Sequence, residues 1–369
     1  MNHRVLCVLG TRPEAIKMAP VILALRNQAG IQCRVLATAQ HRNLLDQVLR
    51  IFEIEPDIDL DIMRPNQALA KLTARLLLAL DDVLEAEKPD VVLAQGDTTT
   101  VMSVALACFY RRIPFGHVEA GLRTGDMANP FPEEMNRVVA GKLTKWHFAP
   151  TESARRNLLK ENIPERDILV TGNTVIDALL SVAERDVPLP FQLDPNKRLI
   201  LVTAHRRENF GEPFKQICQA VLSVVEQNQD VQVVYPVHPN PNVYDVAFQI
   251  LGNHPRITLC EPLDYLPFVS VMKHAYLILS DSGGVQEEAP ALGKPVLVLR
   301  RETERPEAVQ EGVVQLVGAD FDAIISAAQH LLDDKASYGA MARGVSPYGD
   351  GKAAGRIVSA LRAYFAACV

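Results

Sequence analysis

Short apolar runs rich in β-branched residues alternate with longer amphipathic stretches along nearly the whole chain, and midway the alternation stops and starts again. This pattern restricts the fold more than any other feature. The first series of runs falls at residues 5–9, 33–38, 91–94, 114–118, 147–149 and 168–170, with helical spacing at 15–27, 44–52, 68–87 and 99–111. Runs this short and this apolar suit strands buried on both faces. Strands separated by helices make βαβ units, with a parallel sheet covered on both sides. Residues 185–196, which include Pro188, Pro190 and Pro195, read as a linker between domains. A second series follows at 199–203, 231–235, 257–260, 277–280, 296–299 and 313–316, and a last helical stretch covers 352–366. Two doubly wound α/β domains with a cleft between them are expected. Ligands of such folds sit outside the carboxyl ends of the strands, so the loops that follow strands are where chemistry is sought.

Composition narrows the function classes. A chain of 369 residues, 48% of them hydrophobic, carries enough apolar surface for two cores. A formal charge of −6 argues against general nucleic-acid binding and leaves room for a local basic pocket. No apolar run has the length that spans a bilayer, and the first residues read as a strand cut short by Gly10 rather than as a secretory leader. Cys7, Cys33, Cys108, Cys218, Cys260 and Cys368 are scattered without a C-x-x-C pair. Reduced thiols in a cytoplasmic protein fit that distribution better than a disulfide framework or a metal site.

The loop after the run at 275–279 carries a phosphate-site pattern. Ser280-Asp281-Ser282-Gly283-Gly284 leads into a stretch read as a helix over 285–292. The first amides of a helix have no intrahelical partners and carry about half a unit of positive charge, and glycines let a phosphate approach them. Glu288, one turn further in, offers carboxylate oxygens to a ribose diol; an ordinary β–α turn with an acidic helix start reads equally well. After the first run, Gly10-Thr11-Arg12-Pro13-Glu14-Ala15-Ile16-Lys17 sets Arg12 and Lys17 at a helix start, where cations favour a phosphate or a leaving-group oxygen. The spacing is not the dinucleotide-binding G-x-G-x-x-G.

Asp97, Glu119 and Glu133 follow neighbouring strands. Each singly is a helix cap or a surface acid; together they form an acid/base set, and mutual repulsion would raise at least one pKa toward neutrality. In the second half, His205 stands with Arg206 and Arg207 at a strand end, suited to binding or protonating a departing phosphate, and His238 follows the next strand. Phe268 either stacks on a uracil ring or staples a helix start, and Arg305 is placed to close on a diphosphate opposite Gly283 and Gly284.

Taken in order, these segments resemble the non-hydrolysing UDP-N-acetylglucosamine 2-epimerases. The match rests on the turn at Gly10–Lys17, Gly96-Asp97-Thr98-Thr99-Thr100, His117-Val118-Glu119-Ala120-Gly121-Leu122-Arg123, Glu133-Glu134 with Asn136-Arg137, His205-Arg206-Arg207-Glu208, Asp281 to Gly284 with Gln286-Glu287-Glu288, and Thr303 to Glu307. The resemblance implies a glycosyltransferase-B-like fold of two Rossmann-like domains, 1–172 joined by the C-terminal helix at 352–369, and a UDP-binding domain at 173–351, with the active site in the cleft. It implies a cytoplasmic homodimer acting in cell-surface polysaccharide synthesis, with a UDP-sugar as its partner and no nucleic acid, membrane, metal or nicotinamide cofactor.

The same resemblance implies roles. Asp97, Glu119, Glu133 and His205 are the expected catalytic residues. Arg12, Lys17, Phe268, Ser282, Gly283, Gly284, Glu288 and Arg305 are expected to bind substrate, with Phe268 at uracil and Glu288 at ribose. Some relatives bind a second UDP-GlcNAc as activator; Gln40, His41, Glu134, Arg207 and His238 are the corresponding positions, while the loop at 63–67 departs from the Arg-Gln pair expected there. Leu263 replaces a polar residue near the uracil. Rival functions are a hydrolysing epimerase, an epimerase of a UDP-diacetamido uronic acid, a glycosyltransferase of the same fold, and a nucleotide-sugar sensor without catalysis.

Overall fold

A computed structural model describes residues 2–38, 42–62, 67–303 and 305–367. The described residues form two parallel sheets. In chain order the strands of the first are β1 (His3–Leu9), β2 (Ile31–Ala37), β3 (Ile58–Asp59), β4 (Val91–Gln95), β5 (Phe115–Val118), β6 (Trp146–Ala149) and β7 (Ile168–Val170). Those of the second are β8 (Arg198–Thr203), β9 (Val231–Pro236), β10 (Ile257–Cys260), β11 (Leu277–Ser280), β12 (Val296–Val298) and β13 (Val314–Leu316). The spatial orders are β3-β2-β1-β4-β5-β6-β7 and β10-β9-β8-β11-β12-β13, so each sheet grows first one way and then the other from its opening strand. Where the order reverses, between β1 and β4 and between β8 and β11, the loops leave in opposite directions and open a crevice for a ligand.

Backbone contacts divide the chain into two compact units, one of Met1–Ala178 with Tyr348–Val369 and one of Leu179–Pro347. The division falls inside the helix Thr174–Ala183. The last helix, Ala353–Ala367, belongs to the first unit. Its first amides are capped by Asp177, which accepts from Ala353 N at 3.2 Å and Ala354 N at 2.8 Å, and Phe365 stacks on His3 with centroids 4.1 Å apart. No regular element occupies the proline-rich stretch between Ala183 and Arg198.

Each sheet has its own core. In the first unit the helix Leu69–Glu87 repeats leucine every fourth residue, and Leu72, Leu76, Leu80 and Leu84 bury that stripe against Leu6, Val8 and Val92. In the second, Phe214, Ile217, Val221 and Val224 of the helix Glu212–Gln227 cover β8 and β9. Two details depart from the sequence reading. β3 is a two-residue strand, too short to leave a periodic signal. The helix after β11 begins at Gly283, not 285, so Gly283 and Gly284 form its first turn and Ser282 is its N-cap residue.

Candidate active site

The crevice at β1 and β4 is built by Glu14. Its buried carboxylate accepts from Gly10 N at 2.5 Å, from Thr11 N at 3.0 Å and from the Thr98 hydroxyl at 2.7 Å, tying the loop after β1 to the loop after β4. The Thr11 hydroxyl oxygen in turn accepts from Glu14 N, completing a reciprocal cap on the helix Arg12–Arg26. A side chain on Gly10 would meet the Glu14 carboxylate at 3.0 Å and the Thr100 hydroxyl at 2.9 Å, so only glycine leaves room for the knot. Burial pushes the Glu14 carboxyl up to about 7, against the three bonds it accepts, and the charge of Asp97 adds to the rise.

Register places the acids. Gln95 pairs with Val118, so Asp97 and Glu119 emerge just beyond the ends of adjacent strands. Asp97 Oδ2 takes two bonds from Arg137, Nε at 3.0 Å and Nη2 at 2.7 Å, and its backbone carbonyl accepts from Asn136. Glu119 is held at φ 65°, a left-handed conformation that is uncommon for glutamate and sets strain beside the crevice. It accepts from Lys17 Nζ at 2.5 Å, from Asn173 Nδ2 at 2.8 Å and from Gln95 Nε2.

Glu133 opens the helix Glu133–Leu143, the helix whose first turn sends Asn136 and Arg137 to Asp97. The side chains of Arg12 and Glu133 have no hydrogen-bond or ion-pair partner among the described residues. Behind these groups His117 Nε2 bonds the Gly96 carbonyl at 2.7 Å. Burial lowers the His117 pKa to about 4 and that of His147, its register partner on β6, to about 3, so both rings are neutral at pH 7.

The crevice at β8 and β11 opens into a pocket of about 230 Å³, whose wall includes Thr203, His205, His238, Leu263, Phe268 and Glu288, with Ser282, Gly284 and Val285 at the helix start. Gly284 leaves the helix start bare: a Cβ there would lie in ordinary contact, 3.4 Å from the Glu288 carboxylate, on the wall of the pocket. Arg305 lies over the same helix start. Its Nε donates to Glu287 at 2.8 Å, and its guanidinium carbon would be 3.4 Å from a Cβ on Gly283. Thr303 braces the loop by donating to Gln286 at 2.6 Å and accepting from Arg305 N. Asp281, fully buried, accepts from His205 N and Arg206 N at 2.9 and 2.8 Å. Burial holds the His205 pKa below the usual imidazole value; Asp281 pulls it up, while stacked His238 and Arg206 push it down. One end of the pocket thus offers helix amides and cations to an anion, and the other an apolar wall to a planar ring.

The structure gathers Arg12, Lys17, Asp97, Glu119 and Glu133 around one switch point, and His205, His238, Phe268, Ser282, Gly283, Gly284, Glu288 and Arg305 around the other. Glu134 braces the loop at 124–125. It is buried and accepts from Thr124 N and Gly125 N at 3.0 Å each, and from Arg137 at 3.1 Å. Arg207 is exposed in a short 3₁₀ turn. Gln40 and His41 lie outside the described residues. Sequence reasoning gave no individual role to Gln95, Asn173, Arg137, Glu14 or Asp281, the groups that hold the candidate acids and the histidine. A polar residue ending an apolar strand run, as Gln95 does, was the available signal.

The family model described as UDP-N-acetylglucosamine 2-epimerase matches residues 23–362. The UDP-N-acetylglucosamine 2-epimerase of Yersinia pestis is 57% identical, over 97% of this chain and 98% of the relative, and that of Salmonella typhimurium is 55% identical, over 98% and 99%. The crystal structure of UDP-GlcNAc 2-epimerase from Neisseria meningitidis bound to UDP-GlcNAc superposes with a TM-score of 0.87 at 50% identity, covering 97% of this chain and 99% of that one. The fold is glycosyltransferase-B-like, two Rossmann-like α/β units, and the chain belongs to the UDP-N-acetylglucosamine 2-epimerase family.

Proposed function

We propose that this enzyme interconverts UDP-N-acetylglucosamine and UDP-N-acetylmannosamine by eliminating UDP and adding it back. Family membership over nearly the full length carries the reading, and the Neisseria meningitidis relative bound to UDP-GlcNAc supports the substrate. The chemistry must solve one problem: the C2 proton has no neighbouring carbonyl and is not acidic. Breaking C1–O expels UDP, and loss of the C2 proton then gives 2-acetamidoglucal. A proton delivered to the opposite face of C2, with UDP returning to C1, completes the inversion, so atoms balance without an oxidant.

The proposal gives each crevice a chemical role. The amides of Ser282 to Gly284, with Arg305, His205 and Arg12, stabilise the departing diphosphate. Phe268 flanks the uracil and Glu288 holds the ribose. Asp97, Glu119 and Glu133 handle the proton on the two faces, and nearby carboxylate charge steadies the electron-poor C1. Glu119 is held in place by the bonds it accepts from Lys17, Gln95 and Asn173. Two faces of C2 need more than one base or one that moves, which three acids on one rim supply. Support for a homodimer and for a cytoplasmic setting comes from the resemblance; no helix among the described residues is long and apolar enough to cross a membrane.

The test is to start from either sugar nucleotide alone, without added cofactor, and follow both by anion-exchange chromatography. Convergence on one mixture from both directions is expected. Accumulation of free UDP and free N-acetylmannosamine would move the chain to the hydrolysing reaction. If neither sugar nucleotide is consumed, the proposed substrate is wrong, and a uronic acid nucleotide is the next candidate.

A further inference from the structure

Asp281 has one oxygen more than the fold uses. Its Oδ2 accepts from His205 N at 2.9 Å, Arg206 N at 2.8 Å and Asn209 Nδ2 at 3.1 Å, and Asn209 also donates to the Leu299 carbonyl. These bonds fix the loop after β8 against β11, and an asparagine oxygen would accept them as well. Oδ1 is buried, takes no hydrogen bond, and faces His205 Nδ1 at 3.8 Å. A buried carboxylate oxygen with no donor is destabilising unless something compensates it. The gap to His205 is about 1 Å longer than a hydrogen bond, which a small turn of the ring closes. The His205 side chain is 40% exposed and has room for that turn, whereas Asp281 at 0% has none. His205 therefore moves to Asp281, and not the reverse.

We propose that Asp281 is the positioning residue for His205: its second oxygen takes the Nδ1–H of the ring, which leaves Nε2 directed at the diphosphate of the substrate. The inference rests on the placing of that diphosphate at the helix start of Gly283. The charged and titratable groups facing the ring are Asp281, stacked His238 at 5.6 Å, and Arg206; Asp281 is the one acid among them. A ring so held presents Nε2 as an acceptor when neutral and as a donor to the leaving oxygen once it gains a proton, and the carboxylate behind it stabilises the imidazolium. Nothing in the packing of the loop requires that second oxygen, so its role concerns the ring.

The experiment combines ¹⁵N-histidine NMR with kinetics of the full chain. The His205 signals are assigned by their loss in His205→Asn. In the wild type saturated with UDP, a protonated Nδ1 is expected; a neutral ring protonated on Nε2 alone would overturn the proposal, and this readout needs neither turnover nor a variant at Asp281. Asp281→Asn keeps the three accepted bonds but turns an NH₂ toward the ring, which selects the opposite tautomer. For that variant kcat should fall about 100-fold with KM changed less than about threefold, and the kcat profile should lose its His205 limb. In a His205→Asn background the same change should add no further loss. Full additivity, or an unaltered pH profile in Asp281→Asn, would contradict the assignment. Absence of epimerisation by the wild type would count against the reaction and not against the tautomer, which the spectrum reads independently.

Discussion

Residue by residue, the candidate acids differ in what surrounds them. Glu119 is strained at φ 65° and receives Lys17, Gln95 and Asn173, Asp97 receives Arg137, and Glu133 stands at a helix start with no side-chain partner among the described residues. Glu119→Gln should lower kcat by about 10² to 10⁴-fold, with UDP affinity measured by calorimetry unchanged, because the amide cannot take a proton. Asn173→Ala should lower kcat by less, about tenfold, since Lys17 and Gln95 remain. Legibility was uneven at this scale. Asp97 and Glu119 could be named because acids just past apolar runs fall on a strand-end rim. The pairing of Asn173 and Arg137 with those acids could not be read, because they reach across 54 and 40 residues of sequence. Glu134 reads as a ligand residue beside Glu133, yet a one-residue step on a helix turns it inward, onto Thr124 and Gly125.

At the scale of elements, the adjacent strands β5 and β6 set two neutral histidines side by side. The folded pKa values of His117 and His147, about 4 and about 3, lie below the ordinary imidazole value, so the unfolded chain binds more protons than the folded one as pH falls below about 6.5. Stability is therefore full above that pH and lost toward pH 4, at about 1.4 kcal/mol per pH unit for each ring. Glu14 acts with the opposite sign: its folded pKa of about 7 lies above the ordinary carboxylate value, so between about 4.5 and 7 the fold holds a proton that the unfolded chain releases. Urea midpoints at pH 7 and pH 5 should accordingly fall with acid by roughly one net proton, and His147→Phe should flatten the fall. No flattening would show that His147 is protonated in the fold. The helix Gly283–Ala291 yields a separate expectation. Gly284→Ala adds a methyl to the pocket wall without crowding Glu288, 3.4 Å away, so UDP affinity should drop about tenfold with the melting temperature little changed. The sequence showed a helix start there but not which residue begins it, since glycine at a cap and glycine in a first turn look alike without backbone angles.

For the whole molecule, the recurrence of a doubly wound α/β unit is what the sequence conveyed best. Apolar runs separated by helical stretches admit few other arrangements, and the proline-rich break marks where the second series starts. β3 escaped because two residues carry no period, and the break between the units falls within a helix, Thr174–Ala183, rather than in the proline-rich stretch. A division of labour follows from where the residues sit. Changes at Asp97 or Glu119 in the first unit should abolish turnover and spare UDP binding, whereas Arg305→Ala in the second should weaken UDP binding itself, and calorimetry with UDP separates the two groups. The central claim is epimerisation through a C2 proton that leaves and returns. Proton NMR of UDP-N-acetylglucosamine with the enzyme in deuterated water reads it directly. UDP-N-acetylmannosamine carrying deuterium at C2 is the predicted product; UDP-N-acetylmannosamine that retains its original C2 hydrogen would contradict it.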